Sequence, residues 1–374
     1  MNLLFFSHTL HSGGAERVLA NITNELINRG HSITIALNDN KISYQVDSRI
    51  NICLAPQIKL YRGRNVIRKL IRNIRINKRN RLHTRNVIKT VHPDVIVTFL
   101  HCNMFPIICY HGNIPIVHSE HNAYDRKLGF EYYFRRFFLN RFFDIVFVLT
   151  PFDQGYARAK GLKNTIVMPN PNTFPAISNE EYDELFSQRK NILVCGRVNS
   201  WHIKGFDLAI EAFANMANRY PDVDLDIAGD ADEKAIDGLK QLAIKYDVEN
   251  RIHFLGRQDE IDAVMCQHRL FILSSRTEGF PMVVTEAMSQ GLPCIAFERL
   301  ASSIIVDGKD GCLVKDGDII ALSETIVKLV SNEKLRFSFG KAGLNNVSRF
   351  AADTIATKWE EFLSTINNDN KNSH

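Results

Sequence analysis

With 374 residues, 45% of them hydrophobic and 23% charged, the chain has material for two domains of ordinary size with substantial buried cores. The net charge of +5 is modest, and the seven cysteines (53, 102, 109, 195, 266, 294 and 312) include no C-x-x-C pair. That pattern argues against a disulfide frame or a zinc site and for reduced thiols in a cytoplasmic protein. No apolar run approaches about 20 residues, and the first one, 3–6, is too short for a signal-peptide core, so no segment is expected to span a bilayer.

Residues 2–6 read as a first strand, followed by a loop ending in Gly13-Gly14. An amphipathic helix over 15–29 carries Val18, Leu19, Ile22 and Leu26 on one face and stops at Gly30. Strand 33–37 comes next. Strand, glycine loop and helix make a phosphate-cradle pattern, although no G-x-G-x-x-G is present and a tight turn without a ligand fits the same residues. From Ser48 to Pro93 the chain has no acidic residue. A basic amphipathic helix over 62–89 carries Ile67, Leu70, Ile71 and Ile74 at helical spacing among Arg62, Arg64, Arg68, Lys69, Arg72, Arg75, Lys78, Arg79, Arg81, Arg85 and Lys89. Such a helix suits an anionic membrane surface, and packing of its apolar stripe on its own domain is the alternative. No nucleic-acid motif accompanies the charge, so nucleic acid is not an expected partner.

Residues 95–100, 114–118 and 145–150 are further strands. The aromatic stretch 130–143, interleaved with Arg135, Arg136 and Arg141, reads as a core helix with a basic outer edge. The proline-rich 168–175 and the charged 178–190 mark a domain boundary. Beyond it the pattern restarts with strand 192–195, helix 206–219 and strands 225–228, 252–255, 270–273, 294–297 and 312–314. Alternating strands and helices of this kind predict two doubly wound parallel α/β domains. The boundaries are 1–175 and 186–350, with a last amphipathic helix at 351–366 and a disordered asparagine-rich tail at 367–374.

The stretch 270–297 organises the second domain. A buried strand runs into a polar turn, Pro281 stands at a helix start, Gly291 ends the helix, and another strand follows. Ligands of parallel sheets bind at the carboxyl ends of the strands, where this turn lies. Glu278 in the turn and Glu286 in the helix are eight positions apart, which lets them stand roughly 10 Å apart along one ligand. That is about the span from a hexose across a diphosphate to a ribose, and the helix start between them offers amides and a positive dipole end.

In its spacing, its Glu-Gly-Phe-Pro turn and its Glu-Ala-Met helix, this stretch resembles the Glu–seven residues–Glu motif of the retaining glycosyltransferases of family 4, the group 1 transferases. The resemblance implies the B-type glycosyltransferase fold, two Rossmann-like domains facing across a cleft, the last helix crossing back to the first domain. It implies that Gly196, Arg197 and Lys204 hold the donor diphosphate, the two cations compensating charge on the leaving nucleotide. Six residues separate Arg197 from Lys204, about two more than is common in the family. Glu278, Gly279, Phe280, Pro281 and Met282 would hold sugar and phosphate, Glu286 the ribose, and Arg257 the region of the nucleobase. Gly13 and Gly14 look like the family's pair that comes close to acceptor and donor, with Glu16 on the acceptor side. His121, aligned from Pro115, falls where the family keeps a histidine near the reacting carbon, so that His121, Glu278, Arg197 and Lys204 form the catalytic set.

The D-x-D runs at Asp222, Asp224, Asp226 and at Asp230, Asp232 imitate the metal motif of a different transferase fold. The first lies on a strand and the second in a glycine loop, so no metal and no cofactor beyond the nucleotide sugar are expected. The implied activity is retaining transfer of a hexose or N-acetylhexosamine from a nucleotide sugar, UDP-linked by its style, to a lipid-linked saccharide. The setting would be surface polysaccharide biosynthesis (lipopolysaccharide, O-antigen or capsule), with the enzyme peripheral at the inner face of the cytoplasmic membrane. A soluble transferase of storage glucans and a non-catalytic sugar-nucleotide-binding protein are the alternatives.

Overall fold

The computed structural model describes residues 1–11, 13–57, 66–124 and 129–372. Two compact units emerge, one formed by 1–171 together with 352–374 and the other by 172–351.

The first unit is built on seven parallel strands: β1 (Asn2–Ser7), β2 (Ser32–Leu37), β3 (Asn51–Leu54), β4 (Val95–Phe99), β5 (Ile116–Ser119), β6 (Ile145–Val148) and β7 (Thr165–Val167). Their order is β3-β2-β1-β4-β5-β6-β7. The central strands are apolar runs buried on both faces, as helix-covered parallel sheets require. Because the chain winds outward first one way from β1 and then the other from β4, the strand order reverses between those two. Their carboxyl ends are therefore the place for a ligand.

The second unit repeats this plan with β8 (Lys190–Cys195), β9 (Leu225–Ala228), β10 (Ile252–Gly256), β11 (His268–Leu273), β12 (Cys294–Phe297) and β13 (Gly311–Val314). The order β10-β9-β8-β11-β12-β13 puts its reversal between β8 and β11.

The last helix, Ala352–Asn372, belongs to the first unit. Trp359 is 1% exposed, its ring 6.3, 6.0 and 4.8 Å from those of Phe5, Phe99 and Phe147. Glu360 pairs with Arg29 at 3.1 Å and His31 at 3.0 Å. Removing a buried ring of this size costs about 3–5 kcal/mol. Trp359→Ala is expected to lose that much in urea unfolding, and a loss under 1 kcal/mol would mean the helix does not close this core. The helix also runs past 366 to Asn372, where disorder was expected; Asn367 is buried, so the tail's first turn has packing to hold it.

The structure narrows one alternative left open by the sequence and corrects one expectation. The helix Val66–Val91 buries Val87 and Ile88 near its carboxyl end, but Leu70, Ile71 and Ile74 are exposed, so that part of the stripe does not pack on its own domain. Arg62 and Arg64 lie outside the described residues, and no side-chain account extends to Ile67, Arg68 and Lys69. The stretch 130–143 is a helix, Phe130–Phe137, followed by a 3-10 turn, Leu139–Phe142; Phe137, Leu139 and Phe143 are buried and Arg141 is exposed as expected, but the rest of the pattern departs from that reading. Phe130, Tyr133, Phe134, Phe138 and Phe142 are exposed, whereas Arg136 is 2% exposed. A buried carboxylate, Glu120, draws that arginine inward: Nε of Arg136 is 3.3 Å from Oε2 of Glu120, and the guanidinium sits 4.5 and 4.8 Å from the ring centres of Tyr124 and Tyr132.

Candidate active site

At the reversal between β8 and β11, several of the sequence-predicted residues of the second unit converge. Strand β8 is followed by Gly196-Arg197, and the long linker beyond folds into two tight helical turns, Val198–Ser200 and Trp201–Lys204. The extra linker residues are thus absorbed in helical turns, and the Lys204 side chain still returns to the strand end. A Cβ on Gly196 would lie 3.5 Å from Cδ and Cε of Lys204. Two glycines make the rim this tight. Gly205, at φ +64°, lies so close to β11 that a Cβ there would be 1.8 Å from the carbonyl oxygen of Ser274. Gly229, at φ +144°, would put a Cβ 1.8 Å from the carbonyl oxygen of Gly196. Only glycine combines that backbone with that approach.

Lys204 Nζ is 2.8 Å from Oε1 of Glu278, which also accepts from the Ser275 hydroxyl at 2.7 Å. A cation suited to phosphate and a carboxylate suited to sugar hydroxyls therefore meet at one point. That is the arrangement wanted where a sugar joins its phosphate. Glu286, the fifth residue of the helix Met282–Ser289, is 7% exposed, and its Oε1 accepts from the Thr173 hydroxyl at 2.6 Å. Phe280 is buried edge-on against Phe350, ring centres 5.6 Å apart, which anchors the turn between the two glutamates. One expectation is modified here. The Met282 amide donates to the Phe280 carbonyl at 2.8 Å and Pro281 has no N–H, so the amides left for an anion before this helix are those of Gly279 and Phe280, which have no backbone acceptor among the described residues.

Arg197 is exposed at the end of β8. Arg257 follows the edge strand β10 and pairs with Asp259 at 3.3 Å, both side chains largely in solvent, so the structure does not bring it to the Lys204–Glu278 pair. Three of the five D-x-D aspartates are engaged elsewhere. Asp224 bonds Arg251 and His253, Asp226 bonds His268 at 2.9 Å, and Asp232 caps the helix Glu233–Lys245.

In the first unit, Gly13 precedes the helix Gly14–Asn28, and the Glu16 carboxylate folds back over it into the space a Cβ would take. The Tyr44 hydroxyl donates to the Gly13 carbonyl at 3.1 Å. His121 follows β5. Its ring stacks on Phe99 with centres 4.9 Å apart, and its Nε2 lies 2.9 Å from the Ser119 hydroxyl. Burial pushes its pKa down to about 4, so the ring is neutral near pH 7.

Glu120 is no solvent-facing base. Its Oε1 accepts from the amides of His121 and Asn122 at 3.1 and 3.0 Å, so this carboxylate positions His121 from beneath. Burial alone would raise its pKa, but the Arg136 guanidinium and the imidazoles packed around the carboxylate outweigh that and hold it well below the usual carboxylate range. His101, His118 and Glu120 bring ligand atoms within 4.8 Å of one another, yet the adjacent guanidinium of Arg136 already supplies the balancing positive charge. Burial also lowers the His101 pKa to about 3 from an ordinary 6.5. A histidine neutral when folded and charged when unfolded removes stability progressively as pH falls below 6.5. The melting temperature should therefore drop from pH 6.5 towards 4, and His101→Gln should flatten that slope; an unchanged slope would mean that His101 titrates normally.

Sequence reasoning did not find Thr173, Ser275, Arg136 or His101. Thr173 sat in a stretch read only as a boundary. Arg136 sat in a pattern whose ordinary reading puts arginine outside.

Comparison with known proteins decides the family. The model described as "Glycosyl transferases group 1" matches residues 179–346, and the one described as "Glycosyltransferase Family 4" matches 12–171. The chain belongs to these glycosyltransferases. It is 26% identical to the amylovoran biosynthesis glycosyltransferase AmsD of Erwinia amylovora, covering 97% of this chain and 99% of that protein. It is 25% identical, over 98% of this chain and 99% of the relative, to a Campylobacter jejuni protein. That relative is named "GalNAc-alpha-(1->4)-GalNAc-alpha-(1->3)-diNAcBac-PP-undecaprenol alpha-1,4-N-acetyl-D-galactosaminyltransferase". Among solved structures, Anabaena HepE in complex with UDP superimposes with a TM-score of 0.75 at 20% identity, covering 98% of this chain and all of that one. The sucrose-phosphate synthase of Thermosynechococcus elongatus gives 0.80 at 16% identity, covering 97% and 98%. The fold of this glycosyltransferase is the B-type one, with its two sheets of seven and six strands.

Proposed function

We propose that this glycosyltransferase moves a hexose or N-acetylhexosamine, with retention, from a UDP-sugar to a lipid-linked saccharide during synthesis of a bacterial surface polysaccharide. The observation that carries the proposal is the contact of Lys204 with Glu278 at the strand-reversal rim, with Glu286 buried in the helix that follows. In this reading the diphosphate lies on Lys204, Arg197 and the Gly279 and Phe280 amides, while Glu286 accepts from the ribose hydroxyls. Glu278 holds the sugar. As the bond to the anomeric carbon breaks, negative charge grows on the departing phosphate beside Lys204.

HepE was solved with UDP, and the names of AmsD and of the Campylobacter relative give amylovoran biosynthesis and an undecaprenol-linked acceptor. Both support the substrate assignment. The exposed Leu70, Ile71 and Ile74 on a helix rich in arginine and lysine support a peripheral place at an anionic membrane face. No helix among the described residues is long and apolar enough to cross a membrane. The cations are assigned the charge compensation, so transfer is expected to persist in EDTA.

A thermal-shift panel of UDP, GDP and their sugars tests the donor. UDP should stabilise the fold by roughly 2.7 kcal/mol at a hundred times its dissociation constant. Stabilisation by GDP and none by UDP would overturn the nucleotide assignment.

A further inference from the structure

The first residues of the second unit form a strap against the helix that carries Glu286. The chain enters this unit at Asn172 and leaves it at Ala351. Pro171 and Pro175 bracket the start of the strap and fix their own φ, which lowers the entropy lost in ordering it. Hydrogen bonds on both sides of Thr173 then pin it. The Asn172 amide donates to the Phe350 carbonyl at 2.7 Å, and the Asn172 side-chain amide donates to the Phe174 carbonyl at 2.6 Å. Phe350 is also the ring that packs on Phe280 in the turn between the two glutamates. Further along, Gln290 Nε2 donates to the Pro175 carbonyl at 3.2 Å and the Ile177 amide to the Ser289 carbonyl at 2.9 Å. Ser289 and Gln290 close the helix of Glu286, and both are buried.

Thr173 is the strap residue that reaches the site. Its hydroxyl donates to Oε1 of Glu286 at 2.6 Å, across 113 positions of sequence. That length suits a charge-assisted O–H···O bond. A glutamate side chain is flexible, and fixing it when a ligand arrives costs free energy that weakens binding. Here the cost is met during folding, because the helix that bears Glu286 also holds the strap that bears Thr173. A carboxylate offers about four lone-pair sites and one hydroxyl takes one of them, so the contact aims the group without exhausting it.

We infer that Thr173 is a positioning residue of donor binding: it sets Glu286 for the ribose hydroxyls and makes the site choose ribonucleotides over deoxyribonucleotides. The inference rests on the placement of ribose at Glu286 proposed above and adds the residue that makes that contact selective. A ribose hydroxyl meets a carboxylate already in place, whereas a deoxyribose gains nothing from that order. Thr173 therefore acts on one class of ligand and not on the other, which a residue that only supports the fold would not do.

The test is equilibrium binding of UDP and GDP, each beside its 2′-deoxy and 3′-deoxy forms, to full-length wild type, Thr173→Val, Thr173→Ser and Glu286→Gln. Both bases are used so that the comparison does not depend on the base, and each preference is a ratio within one variant, so partial unfolding cancels. The wild type should prefer the ribonucleotide by roughly 10- to 100-fold. Thr173→Val keeps the shape without the hydroxyl and should cut that preference about tenfold, by weakening the ribonucleotide alone. Thr173→Ser should restore it to within about twofold of the wild type. Equal weakening of ribose and deoxyribose forms in Thr173→Val would make Thr173 a support of the fold only, and tighter ribonucleotide binding would make it a competitor of the ribose; either result overturns the inference. A preference lost in Glu286→Gln but intact in Thr173→Val also overturns it, and leaves the donor reading standing. Failure of that reading looks different: a preference that survives in Glu286→Gln, or is missing from the wild type, takes the ribose away from Glu286 and overturns both.

Discussion

Lys204→Ala is expected to lower the turnover number of glycosyl transfer by roughly 100- to 1,000-fold, the usual cost of deleting one preorganised group that meets developing charge. The argument is electrostatic. In the free protein Lys204 already has a carboxylate 2.8 Å away, so it is partly neutralised before substrate arrives. A diphosphate with two or more negative charges competes for it, and the competition sharpens as the leaving phosphate gains charge. Ground-state binding should therefore suffer less than turnover. The measurement is a split of kcat from KM for the donor in Lys204→Ala. Glu278→Gln serves as the companion, because it keeps the shape but releases Lys204 from its partner. If kcat holds and only KM rises, Lys204 merely binds the donor, and the stated role in the reaction is wrong.

The second large effect concerns stability. Arg136→Met should cost about 3–5 kcal/mol, because it strands the Glu120 carboxylate, 1% exposed, without its guanidinium. The double variant Glu120→Gln/Arg136→Met should recover a good part of that loss, since no buried charge is then left unpaired. The sign with pH follows from the lowered Glu120 pKa. Stability from this carboxylate is present above the unfolded value of 4.5 and drains away as pH falls below it. The gap between wild type and Arg136→Met should accordingly narrow in acid. Urea unfolding at pH 7 and pH 4 reads both effects, and a single variant no worse than the double would remove the pair from the account.

The legibility of this molecule in its sequence follows burial. All six strands of the second sheet are short apolar runs, and each is visible as such, as are the central strands of the first. Strands β3 and β7 were not read. Each lies at a sheet edge, is three or four residues long and is only partly buried, so neither carries a full apolar run. The Glu278 and Glu286 pair could be read because spacing along a strand, turn and helix is itself geometry. Their partners Ser275 and Thr173 could not, because a hydroxyl in a turn or a proline-rich segment has no pattern to mark it. Arg136 misleads for a physical reason: periodicity ranks it as surface, and only a buried acid sixteen residues earlier reverses the ranking.

The Ala352–Asn372 helix makes the first unit discontinuous, and that has a bearing on how the protein is made. A ribosome delivers Phe5, Phe99 and Phe147 long before Trp359, so the nascent first half waits with an uncovered aromatic face while the whole second half is synthesised. The second unit, uninterrupted in sequence, can finish first. Emergence of the final helix, not of the amino-terminal half, is then the event that completes the earlier-made domain, and a chain cut short before that helix would present a sticky surface to chaperones and proteases.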